Sequence, residues 1–175
     1  MRVLVTGGDG LLGTALRKIA DGVACEYIFT GYDDFDITDQ EAVDLMLKVN
    51  GFDVVINCAA VTDPVKIEKH EDVAYNVNVA GAGNLAMASA REGTLLIQPV
   101  CNASYLKECK VESLSGQRTV ETIVQSGCDA VIIETAPLTL DQWRDCLDKV
   151  AEHISKIVGM VNPDGWQHGV QFVKS

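Results

Sequence analysis

Three glycines near the amino terminus have the spacing of a phosphate-binding turn. They stand at Gly7, Gly10 and Gly13 in the stretch RVLVTGGDGLLG. Glycine permits a tight turn at the first position, lets a pyrophosphate approach the backbone at the second, and lets a helix and a strand pack closely at the third. Backbone N–H groups and the positive end of a helix dipole would face the anion. The residues predicted to bind the pyrophosphate are Gly7, Gly10, Leu11, Leu12 and Gly13.

The flanking residues place this turn between a strand and a helix. Val3 to Val5 form a short apolar run of the kind that is buried in a parallel sheet. After Gly10 the apolar residues recur at helical spacing, at Leu12, Ala15, Leu16 and Ile19. A glycine pattern that follows a strand and opens a helix favours nucleotide binding over the alternative, a glycine-rich turn that holds no ligand.

An acidic residue follows the next predicted strand at the distance expected of a ribose-binding carboxylate. Asp33 lies about 20 residues beyond Gly13, where dinucleotide-binding folds place a carboxylate that accepts hydrogen bonds from the adenosine ribose. This carboxylate would repel a 2′-phosphate, and no arginine stands beside it in the sequence, so the stretch favours NAD over NADP. The alternative is a carboxylate in a solvated turn.

The rest of the chain alternates between apolar runs typical of strands and segments with helical periodicity. Predicted strands are Cys25–Thr30, Val54–Asn57, Thr94–Val100, Ala130–Glu134 and an edge strand within Gly169–Val173. One predicted helix is opened by a capping box of Thr38 and Glu41. The other predicted helices span Asp72–Arg91, which Gly93 ends, Gln117–Gln125 and Asp141–Val158. The segment Val61–Glu71, which contains Pro64, is predicted as a loop or short turn. The alternation predicts a doubly wound α/β fold with a parallel sheet, in one domain over residues 1–175.

Composition and charge exclude several classes of protein. With 47% hydrophobic and 22% charged residues, the chain has the composition of a globular domain. Its 25 acidic and 14 basic residues give a net charge of -11, which disfavours nucleic acid and membranes as partners. The six cysteines form no CxxC motif, and no histidine stands at ligand spacing, so we expect no metal site. Without a leader or an apolar run of about 18 residues, the expected location is the cytoplasm.

Several motifs in order and spacing resemble those of one enzyme family. They are TGGDGLLG, DITD, VVINCAA, the pair Val77 and Asn78, and GAGNLA from Gly81 to Ala86. Over roughly residues 1–100 the chain resembles the dTDP-4-dehydrorhamnose reductases of the extended short-chain dehydrogenase/reductase superfamily. The resemblance implies a Rossmann fold that binds NAD or NADP at the glycine turn.

The resemblance also implies positions for the remaining cofactor contacts. Asp36 and Ile37 would lie near the adenine, and Cys58, Ala59 and Ala60 would pass beside the ribose and diphosphate. Small residues at these last three positions also fit a loop that approaches a ligand at the carboxyl ends of the strands, although they could equally be small for packing.

The resemblance fails where the family's chemistry begins. Family members carry Ser-Thr-Asp-Tyr just after the fourth strand, where this chain has Gln98, Pro99, Val100 and Cys101. The family's proton-donating tyrosine and its lysine four residues later correspond to Ser113 and Gln117, and no tyrosine of the chain has a lysine four residues later. No catalytic residue is therefore assigned, and no segment corresponds to the family's substrate lobe.

These observations favour an NAD(P)-binding protein without catalytic activity, which recognises the dinucleotide and acts through a protein partner or a second copy of itself. The regulatory beta subunit of methionine adenosyltransferase resembles the same reductases, which makes such reuse plausible by analogy. Two alternatives stay open. One is an active nucleotide-sugar reductase or epimerase that uses non-standard residues or a partner chain, and the other is a structural or interaction protein with an empty cleft.

Overall fold

One six-stranded sheet forms the centre of the computed structural model, which describes residues 1–20, 25–100, 118, 119, 121–123, 125–134 and 170–173. Its strands are β1 (Arg2–Thr6), β2 (Glu26–Thr30), β3 (Val54–Asn57), β4 (Leu95–Val100), β5 (Ala130–Glu134) and β6 (Val170–Val173). They lie in the order β2-β1-β3-β4-β5-β6. The first five strands are parallel, and β6 pairs with β5 in the antiparallel direction at the edge. The predicted parallel sheet is confirmed.

The strand order determines where a ligand can bind. From β1 the chain passes to β2 on one side and then returns to β3 on the other side of β1. In open parallel sheets such a reversal leaves a crevice at the carboxyl ends of the strands. Thr6 and Asn57, which end β1 and β3 and pair in register, therefore lie at the base of this crevice.

Helices cover both faces of the sheet, as a doubly wound fold requires. Alternate strand residues point to opposite faces. Leu4, Val55 and Leu96 pack in one apolar cluster with residues of α2 (Gln40–Asn50) and α5 (Ala82–Glu92). Their strand neighbours form a second cluster with α1 (Leu11–Ala20), which contains Val3, Val5, Leu16, Val54, Ile56 and Ile97. The doubly wound α/β prediction is confirmed.

The amino end of α2 is capped by a different residue from the one predicted. Asp39 is the N-cap, and its side chain accepts a hydrogen bond from the N–H of Ala42 at 3.1 Å. Thr38 lies outside the helix, where its N–H and Oγ1 both donate to Asp36 Oδ1. The predicted capping box of Thr38 and Glu41 is wrong because Asp36 binds the threonine and leaves the cap to the next residue.

Between β3 and β4 the chain is more helical than predicted. The segment predicted as a loop contains α3 (Pro64–Lys69), which begins with proline at its first position and is capped by Asp63. The predicted long helix is then built from α4 (Glu71–Tyr75), a π-helical segment (Asn76–Gly81) and α5, and it ends at Gly93 with a left-handed φ of 67°. Helical residues are also described within 118–126, before Gly127. The helix predicted over Asp141–Val158 lies outside the described residues.

The corrected cap gives a testable difference between two neighbouring carboxylates. We expect Asp39→Ala to lower the free energy of unfolding by about 1 kcal/mol, because it leaves the N–H of Ala42 without its side-chain partner. Glu41→Ala removes the same charge from the same helical turn and should change the free energy by less than about 0.5 kcal/mol. Urea unfolding of the two variants measures both values. A larger loss for Glu41→Ala would reinstate the capping box.

Candidate functional site

The glycine turn packs backbone against backbone at the carboxyl end of β1. Gly7 has a left-handed φ of 62°. A Cβ at Gly7 would lie 2.6 Å from the nitrogen of Ala59 and from the carbonyl carbon of Cys58. A Cβ at Gly13 would overlap the carbonyl oxygen of Gly7 and lie 2.6 Å from the Cα of Gly8. The turn, α1 and the loop after β3 thus approach one another at distances that only glycine permits.

Gly10 differs from its two neighbours in the pattern because it lies on the open side of the turn. It is exposed, its φ is not positive, and a Cβ there would come no closer than 3.2 Å to the carbonyl oxygen of Gly7. Leu11, which opens α1, is 95% exposed, whereas Leu12 packs against the apolar cluster beneath α1. The first N–H groups of a helix have no partner within it. This side of the turn is open to an anion, and binding there stays a prediction.

A chain of buried hydrogen bonds joins the carboxyl ends of three strands. Thr6 Oγ1 donates to Asn57 Oδ1 at 2.6 Å, and Asn57 Nδ2 donates to Gln98 Oε1 at 2.8 Å. Gln98 Nε2 donates to the carbonyl oxygen of Pro99, and the N–H of Ala59 donates to Asn57 Oδ1. The Gln98 amide is therefore used within the protein.

Two asparagines of the long helical stretch hold the loops on either side of the crevice. Asn78, in the π-helical segment, pairs its side-chain amide with both main-chain groups of Val61, at 2.8 and 2.9 Å. Asn84, on α5, donates to the carbonyl oxygens of Ile37 and Thr38 at 3.0 and 3.2 Å. One asparagine thus fixes the loop after β3, and the other fixes the segment that leads to α2.

The first three residues of the loop after β3 offer backbone groups, methyl groups and one thiol that is not reactive at neutral pH. Cys58 and Ala59 are half-buried and Ala60 is exposed. Burial raises the pKa of the Cys58 thiol from 9.0 to about 12. A thiol with that pKa stays protonated at neutral pH, and the thiolate is the nucleophile and metal ligand. Cys58 is therefore a packing residue, and a position beside a ribose or diphosphate stays a prediction for all three residues.

The turn after β2 carries several carboxylates with different partners. Asp34 accepts a hydrogen bond from the N–H of Gly31 at 3.0 Å and so closes the turn, whereas Asp33 is exposed. Asp36 binds Thr38, as described above. Ile37 is buried, with Gly81 against its side chain, so any contact with an adenine would be made by its main chain. The ribose and adenine contacts of Asp33, Asp36 and Ile37 stay predictions.

The structure adds one group that sequence reasoning missed. Arg17, on α1, lies with its guanidinium carbon 4.4 Å from the centroid of the Phe29 ring and its Nη2 3.7 Å from Asp9 Oδ1. A Cβ at Gly8 would be 3.1 Å from Arg17 Nη2. The prediction that no arginine stands beside the turn considered only sequence neighbours. Its position beside the glycine turn could have been predicted, because Arg17 lies one helical turn beyond Gly13 in the predicted helix.

Within the described parts of the chain, no group of three or more His, Cys, Asp or Glu could hold a metal ion. No helix in those same parts is long and apolar enough to cross a membrane. Ser113 and Gln117, the positions that correspond to the family's tyrosine and lysine, lie outside the described residues. The candidate site consists of the glycine turn, the two fixed loops and the acidic turn after β2, and nucleotide binding there stays a prediction.

The fold and the turn define a Rossmann-type α/β protein, and comparison of the sequence identifies its family. Residues 1–103 match the family model described as RmlD substrate binding domain. The chain belongs to this family and is a dTDP-4-dehydrorhamnose reductase-like protein. It is 41% identical over 96 residues to the dTDP-4-dehydrorhamnose reductase of Mycobacterium tuberculosis strain CDC 1551, a match that covers 55% of this chain and 31% of the relative. The resemblance inferred from the motifs is confirmed.

A second relative has a different role in its name. The chain is 34% identical over 103 residues to methionine adenosyltransferase 2 subunit beta of Rattus norvegicus, with 55% of this chain and 31% of that protein covered. The chain thus spans about a third of the length of these curated relatives.

Solved structures agree with the sequence comparison. A dTDP-4-dehydrorhamnose reductase from Clostridium acetobutylicum superposes with a TM-score of 0.72 at 27% identity, over 87% of this chain and 60% of that one. A dTDP-4-dehydrorhamnose reductase from Bacillus anthracis in complex with NADP superposes with a TM-score of 0.70 at 23% identity, over 76% of this chain and 52% of that one. The second likeness shows the fold alone.

The buried hydrogen-bond chain can be tested with a matched pair of threonines. Thr6 and Thr30 end neighbouring strands, pair in register and are both buried. We expect Thr6→Val to lower the free energy of unfolding by about 1 kcal/mol, because it removes the 2.6 Å bond to Asn57. Thr30→Val removes only a 3.5 Å contact with the carbonyl oxygen of Val5 and should cost less than half as much. Equal losses in urea unfolding would contradict this role for the chain.

Proposed function

We propose that this protein binds a nicotinamide dinucleotide at the glycine turn and works as a non-catalytic binding or regulatory module. The observation that carries the proposal is the packing of Gly7 and Gly13, which leaves Gly10 and the amino end of α1 open at the reversal between β1 and β3. That position is the pyrophosphate site of doubly wound folds. In the same proposal the diphosphate lies over Gly10, Leu11 and Leu12, and Cys58, Ala59 and Ala60 line its other side.

The regulatory part of the proposal rests on the residues at the catalytic positions and on one relative. Ser113 and Gln117 stand where the family has its tyrosine and lysine, and the Gln98 amide is held by Asn57 and Pro99. Methionine adenosyltransferase 2 subunit beta is by name a subunit of an enzyme, and its match covers 55% of this chain. A protein partner or a second copy of the chain, in the cytoplasm, belongs to this proposal.

The cofactor we propose is NAD in preference to NADP. Asp33 is exposed in the turn that follows β2, next to the end of β1 where Thr6 pairs with Thr30. A carboxylate at this edge accepts hydrogen bonds from the ribose hydroxyls and repels an added phosphate.

The second candidate function is a reductase of nucleotide sugars. It is favoured by the 41% identity to a dTDP-4-dehydrorhamnose reductase over 96 residues. An active enzyme would need a proton donor other than a tyrosine that is paired with a lysine four residues later, supplied by this chain or by a partner chain.

Cofactor binding is tested at Gly10. We expect the wild-type protein to bind NAD in a calorimetric titration and Gly10→Val to lose this binding, because the valine side chain would occupy the place of the pyrophosphate. The fold should survive with a small loss of stability, since the one atom within 4 Å of a Cβ at Gly10 is the carbonyl oxygen of Gly7, at 3.2 Å, and a shift of a few tenths of an ångström relieves this tight contact. Wild-type preference for NADP in the same titration would contradict the role of Asp33.

The matched control is Gly51→Ala. Gly51 follows α2 with a φ of 58°, and a Cβ there meets nothing within 4 Å. The variant should lose about 1 kcal/mol of stability through left-handed strain and keep its affinity for NAD. Binding of NAD by Gly10→Val with wild-type affinity would contradict the proposed site, whereas weaker binding in Gly51→Ala would trace the loss to stability.

Absence of catalysis is the second test. We expect no reduction of dTDP-4-dehydrorhamnose by this chain alone with NADH or NADPH, because Ser113 and Gln117 replace the family's proton-donating tyrosine and its lysine. General acid catalysis contributes roughly a hundred- to ten-thousandfold to the rate. The double variant Ser113→Tyr with Gln117→Lys should not restore activity, since Gln98 and Pro99 still replace the family's hydroxyl-bearing residues. The Mycobacterium tuberculosis reductase serves as positive control. NADH consumption by the wild-type chain that depends on the sugar would favour the reductase instead.

A further inference from the structure

The acidic corner at the carboxyl end of β2 contains a side chain from the glycine turn itself. Asp9 is exposed, and its Oδ2 lies so close to Gly31 that a Cβ at Gly31 would overlap it. The neighbouring N–H of Gly31 is bound by Asp34, and Asp33 stands in the same turn. The N–H of Gly8 donates to the carbonyl oxygen of Thr30 at 2.8 Å, which fixes the glycine turn against the end of β2. Asp9 is thus part of the edge at which a dinucleotide's adenosine ribose lies.

Arg17 faces this edge from α1, and two contacts hold it. Its guanidinium stacks on Phe29 at 4.4 Å, and its Nη2 is 3.7 Å from Asp9 Oδ1. The aromatic contact does not depend on Asp9, because Phe29 lies within β2 and belongs to the apolar packing beneath α1. Loss of the Asp9 carboxylate would therefore leave the guanidinium in place with its charge unpaired.

We propose that Asp9 and Arg17 together determine whether the site accepts a 2′-phosphate: Asp9 occupies the guanidinium of Arg17 and keeps it from the phosphate of NADP. This inference rests on the proposed dinucleotide site and adds the residues that select the cofactor. A phosphate of two negative charges at this edge meets the carboxylates of Asp9 and Asp33, and the nearest described cation, Arg17, is already paired. An arginine beside the ribose is the group that accommodates a 2′-phosphate in these folds.

The proposal distinguishes two effects of Asp9 that act in the same direction. Asp9 repels the phosphate directly, and it also neutralises Arg17. If repulsion alone mattered, removal of Asp9 would help NADP whether or not Arg17 is present. If the pairing matters, the gain requires the arginine. Exposed ion pairs contribute little to stability, so variants at either residue should fold.

The experiment measures NAD and NADP affinity by calorimetry for the wild-type protein, Asp9→Asn, and the double variant Asp9→Asn with Arg17→Gln. Asp9→Asn should bind NADP about two- to fivefold more tightly than the wild-type protein, because its Arg17 guanidinium no longer has to leave an exposed ion pair before it binds the phosphate. Its NAD affinity should change by less than about 1.5-fold, because NAD carries no 2′-phosphate. In the double variant the NADP affinity should return close to the wild-type level, since direct repulsion by an exposed carboxylate is largely screened by salt.

Glu26→Gln is the matched control. It removes a carboxylate that is 3.1 Å from Arg2 at the amino ends of β1 and β2, the end of the strands opposite the proposed site, and it should leave both affinities unchanged. Unchanged NADP affinity in Asp9→Asn, or a full gain in NADP affinity that persists in the double variant, overturns the inference. If the proteins still bind NAD in that case, the proposed function stands. Binding of neither nucleotide by any of the proteins overturns both.

Discussion

The close approach of Gly7 to the backbone of Cys58 and Ala59 is the constraint on which the rest of the structure depends. A left-handed φ at Gly7 turns the chain out of β1, and the missing Cβ lets the turn rest on the loop that leaves β3. The buried chain from Thr6 through Asn57 to Gln98 joins the strand ends, and Asn57 Oδ1 also accepts a hydrogen bond from the N–H of Ala59, which fixes the loop to the sheet. Any residue other than glycine at this position would push the turn away from the backbone of Cys58 and Ala59 and so separate the ends of β1 and β3.

The sequence predicted the fold well because the central strands β1 and β3 are buried on both faces. Apolar runs such as Val54–Ile56 have no polar face that could be confused with a surface helix, so their ends were predicted to within one or two residues. The same reasoning failed at Pro64, where proline was taken as a sign of a loop although it is favoured at the first position of a helix. It failed at Thr38 because Thr38 and its neighbour Asp39 can both cap a helix, and only their hydrogen bonds decide which one does.

The glycine turn was predictable for a local reason, since its residues are consecutive and their spacing reflects steric demands of one turn. The groups that surround it were not, because they are distant in sequence. Asn57 and Gln98 are 41 residues apart, and Asn84 reaches back 47 residues to Ile37. A polar residue at the end of an apolar strand indicates a buried hydrogen bond, but the sequence does not identify the residue that forms the other half of that bond. Arg17 meets Asp9 and Phe29 only after α1 has packed on β2, so its charge environment is a property of the fold.

The π-helical segment Asn76–Gly81 has a consequence for how this region can change in length. A π turn contains one residue more than the α turn it replaces. Removal of one residue from the segment would therefore restore a regular α turn and leave the helical residues on either side close to their present orientation. Asn84, which lies beyond the segment, would keep its hydrogen bond to Ile37. A one-residue deletion within α5 would instead rotate the residues before it by about 100° relative to those after it, so the helix can shorten by one residue in the π-helical segment but not in α5.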